Sequence, residues 1–352
     1  MDGRAPAGRP APPRGHRVRA AVFRGTGRLE TEEWPRPSIG PGELLLRLRG
    51  CGLCGSDIAK MLTPTSAAPA VFGHEIVGDV VEIGAGVADF APGDRVVAAH
   101  HVPCGDCHYC RRGSHSMCPA FKTSHLDPGG FAEYVRVPAP NVRHATFKIP
   151  PPVSDEAASF IEPVGCCLRA VRRADVAAGD TAVVVGLGSI GHLFVPLLQR
   201  AGATVVGVDD AVHRIDFAER LGLEALRPPA ARGRIATLSE GRGADHVIVT
   251  GGAASVLAWA VGVVRDGGSI HYFAGGHGDA LPIALDTLYQ RELTITATYS
   301  SSPADLAESS RLITGGEIAV ARLYTHRVSI ERLGEGVDLM RRRDAVKVYV
   351  TP

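Results

Sequence analysis

Thr181-Ala-Val-Val-Val-Gly-Leu-Gly-Ser-Ile-Gly191 reads as an apolar strand that runs into Gly186, Gly188 and Gly191, and the residues after it, HLFVPLLQRAG, have helical periodicity. A G-x-G-x-x-G turn that closes a strand and opens a helix marks a dinucleotide site, because this context, more than the glycines themselves, is what chance seldom supplies. Gly186 permits the tight turn, Gly188 lets the backbone approach a pyrophosphate, and Gly191 allows the helix to pack closely on the strand. Ser189 and Ile190 stand in the helix's first turn, where unpaired N–H groups and the dipole favour phosphate. The next strand, ATVVGVD, ends in Asp209, about 20 residues beyond Gly186, where an acid is expected on the adenosine ribose. A carboxylate there accepts from both ribose hydroxyls and repels a 2′-phosphate, so NAD is expected in preference to NADP. Asp210 adds to that repulsion, and Arg214 is the nearby cation that opposes it. The same turn could also serve S-adenosylmethionine, or no ligand at all.

Outward from this stretch the texture of the chain changes once. From Pro163 onward, apolar strands (TAVVV, ATVVGVD, ADHVIVT, GGSIHYFAG) alternate with helix-length segments such as AVHRIDFAERLG. That alternation predicts a doubly wound parallel sheet covered on both faces, over residues 163–294. Before it, residues 18–162 read as short strands broken by Gly and Pro (RVRAAVF, GELLLRLRG, EIVGDVVEIG, DRVVAA, FAEYVRV), which suggests an irregular β-barrel. After it, residues 295–352 supply a helix, ADLAESSRLITGG, and a last strand, AVKVYVTP, that could return to the first domain. The expected fold is therefore α/β, with one domain interrupted by another, as 352 residues would require.

Bulk composition narrows the function. Lys and Arg number 38 against 37 Asp and Glu, which leaves no surplus positive charge for a nucleic acid or an anionic membrane surface. No stretch approaches the ~20 apolar residues of a membrane span. Residues 1–17, rich in Pro, Gly and Arg, have no apolar run of the signal-peptide kind and read as a disordered leader. A cytoplasmic protein acting on a small molecule is the expectation, and its eight cysteines should then be free for metal ligation.

Four of those cysteines, Cys104, Cys107, Cys110 and Cys118, fall within fifteen residues in a zinc lobe spanning 100–120. Their spacing suits a closed tetrahedral structural zinc site. The competing readings are two disulfides, which a reducing compartment disfavours, and a nucleic-acid-binding zinc knuckle, which the charge balance disfavours. Outside the lobe, Cys54 in CGLCGSD, His74 and Glu75 in FGHEIVG, and Glu162 in IEPVG are also ligand-type residues. Each has an ordinary explanation alone: a Cys51–Cys54 redox pair, a core histidine, a helix-start acid.

Taken together, the strings GCGLCGSD, GHEIVGDVVEIGAGV, PGDRV, the four-cysteine lobe, GGFAEYVRVP, and EP ahead of GLGSIG resemble the zinc-containing medium-chain alcohol dehydrogenase family, from about Val18 to the C-terminus. Glu-Pro in place of a second cysteine is similar to the sorbitol, threonine and related polyol or cyclitol dehydrogenases. The resemblance implies a GroES-like catalytic domain interrupted by a Rossmann coenzyme domain, a homodimer or homotetramer, and two zinc ions per chain, one catalytic and one structural. It carries the catalytic zinc onto Cys54, His74 and either Glu75 or Glu162. It places the acid that orients the zinc-bound histidine on Asp57, and the hydroxyl that takes the alcohol proton on Ser56. Three protein ligands leave a fourth position, where zinc lowers the pKa of bound water from 15.7 to about 7. A histidine common five residues after the cysteine would fall on Ala59, so an outer proton relay is absent or replaced by Lys60 or water.

The implied reaction interconverts a secondary alcohol (a polyol, sugar alcohol, amino-polyol or aminocyclitol) and its ketone, with NAD. A threonine-type amino-alcohol dehydrogenase and a non-catalytic zinc-stabilised NAD-binding protein are the rival readings. Lys60, His125 and Tyr299 are candidate polar residues of the substrate pocket.

Overall fold

A computed structural model of the protein describes residues 17–64, 66–275, 280–281 and 283–352. The leader expected over residues 1–17 lies outside these residues except for Arg17, which begins a strand, Arg17–Gly25.

Thr181–Val185 is buried at every position, as a strand with helices over both faces must be. It sits inside a six-stranded sheet ordered Ala225–Leu226, Thr204–Val208, Thr181–Val185, Ala244–Val249, Val264–Tyr272, Thr294–Ala297, with every neighbouring pair parallel. From Thr181–Val185 the chain winds outward in one direction, then crosses back to Ala244–Val249 and winds the other way. The strand order therefore reverses beside Thr181–Val185, and the carboxyl ends of the strands at such a switch point leave a crevice that binds ligands.

The preceding residues and the C-terminus share a seven-stranded sheet: His326–Ser329, Val348–Thr351, Leu44–Gly52, Glu75–Ile83, Arg95–Ala98 and Thr146–Lys148 in order, with Tyr134–Val137 also paired to Leu44–Gly52. Register shifts at Leu45/Leu46 and Leu48/Gly50 bend the central strand, as bulges do. The C-terminal strand lies antiparallel to Leu44–Gly52, with Tyr349 opposite Gly52 and Val350 opposite Cys51. That pairing returns the end of the chain to the first lobe and sets Lys347 beside Glu75. No helix among the described residues is long and apolar enough to cross a membrane.

Three large apolar clusters hold these layers. One fills the first lobe around Phe23, Leu46, Phe131 and Val348. A second lies on the far face of the parallel sheet. The third joins the lobes, since Val77 and Val97 of the seven-stranded sheet share it with Val184 and Ile248 of the six-stranded one. Helix Ile161–Ala174 supplies Ile161, Val164 and Cys167 to this joint, which brings Glu162, in its first turn, to the junction.

Candidate active site

The glycine turn makes one wall of a cleft of about 450 Å³, lined also by Ser189, Ile190, Asp209 and Arg214. Gly186 adopts φ 96°, and a Cβ there would stand 2.6 Å from Thr250 Oγ1. That hydroxyl donates to the carbonyls of Gly186 and Val185 at 2.8 and 3.0 Å, pinning the turn. A Cβ on Gly191 would meet the Gly186 carbonyl oxygen at 1.9 Å, whereas one on Gly188 finds nothing nearer than Arg214 Nη1 at 3.8 Å. The two glycines therefore answer different needs, packing at Gly191 and open approach at Gly188. Gly191→Ala is expected to lower stability by about 3 kcal/mol, because the colliding atom is backbone and cannot turn aside. Gly188→Ala should melt as the parent does yet bind NADH more weakly; thermal melts and NADH fluorescence titration separate the two effects.

Asp209 is 6% exposed; its Oδ2 accepts from Leu187 N–H at 2.7 Å and its Oδ1 from Ala211 N–H at 2.9 Å. Burial acts to raise its pKa, but these amides and Arg214 outweigh that and hold it below the usual carboxylate range. Arg214 Nη1 is 3.7 Å from Asp209 Oδ2. Arg343, from the first lobe's C-terminal segment, reaches Asp210 at 3.1 Å across the cleft mouth.

Gly55 also lines this cleft, and its neighbour Cys54 belongs to a second constellation. Cys54 Sγ, a ring nitrogen of His74 and a carboxylate oxygen of Glu75 lie within 4.8 Å of one another. Local structure explains the convergence. Cys54 caps helix Gly55–Leu62, while His74 and Glu75 enter strand Glu75–Ile83, whose Glu75 is registered opposite Gly52. Asp57 ties the pieces together: its Oδ2 accepts from Cys54 N–H at 3.3 Å, and its Oδ1 from Gly73 N–H at 3.3 Å and His74 Nδ1 at 3.1 Å. With Nδ1 so engaged, His74 Nε2 is the nitrogen free to serve as a ligand. Ser56 Oγ donates to Cys54 Sγ at 3.3 Å.

Glu75 is divided between two neighbours. Its Oε1 accepts from Lys347 Nζ at 2.6 Å, with both side chains almost fully enclosed. Its Oε2 is buried without a partner, in space that exists because residue 52 is glycine, where a Cβ would sit 1.9 Å from that oxygen. An orphaned carboxylate oxygen beside a thiol and an imidazole is the donor set a divalent zinc ion takes. Glu162 stands outside the set. Burial raises its pKa, and Cys166 Sγ donates to its Oε1 at 3.4 Å. The Cys51 thiol is buried and donates to Gly52 O at 3.4 Å, and all eight cysteines are free thiols, so Cys51 and Cys54 form no disulfide.

The cysteine lobe is built differently. Its sulfurs stand 3.9 Å (Cys104–Cys110), 3.5 Å (Cys107–Cys110) and 3.6 Å (Cys118–Cys104) apart. Four sulfurs at ~2.3 Å around a tetrahedral zinc are about 3.8 Å from each other, whereas a disulfide would need about 2.05 Å. Arg169 anchors this lobe to the body. It donates to Gly113 O at 3.1 Å, Ser116 Oγ at 3.0 Å and Tyr299 O at 3.0 Å.

A smaller cavity, of about 230 Å³, is lined by His74, Lys60 and His125 together with His100 and His101. Tyr299 lines neither cavity and is 61% exposed. Sequence reasoning did not single out Lys347, His100 or His101. A lysine set among valines in the terminal strand, AVKVYV, was a usable sign of a buried charge; the partner 272 positions away was not legible.

Residues 40–151 match the alcohol dehydrogenase GroES-like domain, and residues 189–315 match the zinc-binding dehydrogenase family. Similar proteins include a sorbitol dehydrogenase of Halalkalibacterium halodurans, 28% identical over 93% of this chain and 97% of its own. An L-galactonate-5-dehydrogenase of Escherichia coli is 31% identical over 90% and 93%. An L-threonine 3-dehydrogenase of Bacillus velezensis is 30% identical over 91% and 94%. Among solved structures, a zinc-binding dehydrogenase from Sinorhizobium meliloti bound to NADP superposes with a TM-score of 0.85, at 28% identity over 96% of this chain and all of that one. The glycine turn at a switch point, the GroES-like lobe and these full-length likenesses together establish that the chain belongs to the zinc-binding, medium-chain alcohol dehydrogenase family.

Proposed function

We propose that the protein is a zinc-dependent, NAD-linked dehydrogenase that interconverts a secondary alcohol of the polyol or sugar-derived class with its ketone. The observation that carries this reading is the convergence of Cys54, His74 and Glu75 beside Gly55, which adjoins the coenzyme cleft. Those three residues would hold the catalytic zinc, which when bound supplies a Lewis acid for the alcohol oxygen. The lobe cysteines 104, 107, 110 and 118 would hold a second, structural ion.

Each protein group then has a defined task. Asp57 fixes the ring orientation and tautomer of His74. Lys347 occupies one oxygen of Glu75 and neutralises its charge, leaving the other oxygen for the metal. Ser56 would take the hydroxyl proton and pass it to water or the coenzyme ribose, and bound NAD⁺ would supply the acceptor for the carbinol hydrogen and its electron pair. Alcohol and NAD⁺ thus give ketone, NADH and one proton. Gly186, Gly188, Ser189, Ile190 and Gly191 receive the pyrophosphate. The names of the sorbitol and L-galactonate relatives support the substrate class, and the threonine relative keeps an amino alcohol as the second reading. A cytoplasmic homo-oligomer is the assembly we assign; the exposed Leu285 and Tyr289 beside the edge strand Thr294–Ala297 offer a surface for it.

NADH formation from a panel of polyols, hydroxy acids, aminocyclitols and amino alcohols tests the reading, and turnover of none by the zinc-loaded protein would overturn it. NAD should be preferred over NADP by about 100-fold in kcat/KM, since two like charges ~4 Å apart near a surface repel by about 4 kcal/mol and Arg214 offsets part of that. Asp209→Asn should shrink this ratio about tenfold. Faster turnover with NADP by the unaltered chain would remove the role of Asp209.

A further inference from the structure

The cavity beside His74 has a polar lining that a neutral polyol does not explain. Its polar walls are Asp57, Lys60, His74, His100, His101 and His125. Asp57 is the one acid among them. It is 1% exposed, and both its oxygens are engaged by Cys54, Gly73 and His74. No carboxylate is left to receive an ammonium group from a ligand.

Behind it lie His100 and His101. Burial pushes the His101 pKa down to about 4. Their rings lie in a row, tilted against one another, with centroids 4.5 Å apart for His74 and His100 and 3.8 Å for His100 and His101. His101 Nδ1 donates to the Ser124 carbonyl, so its Nε2 is left as an acceptor, the form that takes a hydrogen bond from a hydroxyl. His100 Nδ1 is buried without a partner. At the exposed rim stand His125 and Lys60, whose ammonium meets no carboxylate within ion-pair distance among the described residues.

We infer that this cavity takes a polyhydroxy carboxylate, its hydroxyls on His100 and His101 and its carboxylate at Lys60 and His125, in preference to the neutral alditol and against amine-bearing alcohols. The inference deepens the dehydrogenase reading and rests on it for the location of the reacting carbon. An acceptor-bearing inner wall suits hydroxyl groups. A cationic rim with no free acid suits an anionic end and repels an ammonium.

The test uses D-gluconate, D-sorbitol and D-glucamine, which share their hydroxyl configuration and differ only at C1, as carboxylate, alcohol and amine. Each is titrated by calorimetry into the full-length protein loaded with zinc and saturated with NADH, and D-galactonate and galactitol repeat the comparison in a second configuration. The carboxylate is expected to bind at least about tenfold more tightly than its alditol, with the amine weakest. Lys60→Gln should weaken carboxylate binding about tenfold and leave the alditol unchanged. Equal or tighter alditol binding in both series, tightest binding of the amine, or an unaltered carboxylate affinity in Lys60→Gln would overturn the inference. Binding is read apart from turnover, so this ranking in a protein that oxidises no alcohol would uphold the cavity assignment and fail the dehydrogenase reading alone.

Discussion

Replacing Cys54 by serine is expected to lower kcat by about 10³-fold or more while the protein still folds and still binds NADH. A Lewis acid on the reacting oxygen contributes several kcal/mol to the transition state, and each ~1.4 kcal/mol is a factor of ten in rate. Serine keeps the size of the side chain and loses the thiolate that binds zinc. The coenzyme cleft should survive, because the glycine turn, Asp209 and Arg214 belong to the parallel-sheet domain and make no hydrogen bond to Cys54. Steady-state rates with the best substrate of the panel and a fluorescence titration with NADH measure the two halves. A variant that retained most of its rate would show that Cys54 has no part in the chemistry. One that lost NADH binding equally would show a fold defect instead.

The second large effect belongs to the lobe and is one of stability. Cys118→Ser is expected to make residues 104–118 accessible to protease and to lower the melting temperature by about 10 °C or more. The lobe has little to bury: Cys110, Cys118 and Phe121 form its whole apolar cluster, with Cys107 against it. A structural zinc site returns about 10–16 kcal/mol, comparable with the ~5–15 kcal/mol that separates most folded domains from their unfolded chains. Arg169 alone cannot replace that, since it fastens only Gly113 and Ser116. Trypsin gives the local readout, because Arg111 and Arg112 are exposed on the lobe. Cleavage there should be slow in the zinc-loaded parent and rapid in Cys118→Ser or after strong chelation. Equal resistance in all three would mean that packing, without metal, orders the lobe.

The three sites of the chain, coenzyme turn, cysteine lobe and the Cys54 set, were not equally legible in the amino-acid sequence, for physical reasons. The dinucleotide turn is a local structure: three glycines, a strand before and a helix after contain the whole argument, and the structure adds only which clash each glycine avoids. The cysteine lobe is nearly as local, because four ligands within fifteen residues can converge with little help from the rest of the chain. The set of Cys54, His74 and Glu75 is not local. Its members come from a helix cap and the start of a strand, and only the ordered string of motifs raised each above an ordinary reading. Even so, the choice between Glu75 and Glu162 stayed open in the sequence. In space, Gly52 makes room for one oxygen of Glu75, and Lys347 arrives on the last strand to take the other. Sequence spacing carries no record of such an encounter. The cavity lined by His100 and His101 was hidden for the same reason, as its walls come from segments near residues 57–74, 100 and 125 that meet only after the sheet forms.

Zinc content by elemental analysis of the parent and of Cys54→Ser addresses most directly whether a metal ion sits among Cys54, His74 and Glu75. About two ions per chain in the parent and about one in the variant are expected, because one ligand set is broken and the lobe is left whole. A single ion in both proteins would place all of the metal in the cysteine lobe and contradict the catalytic centre.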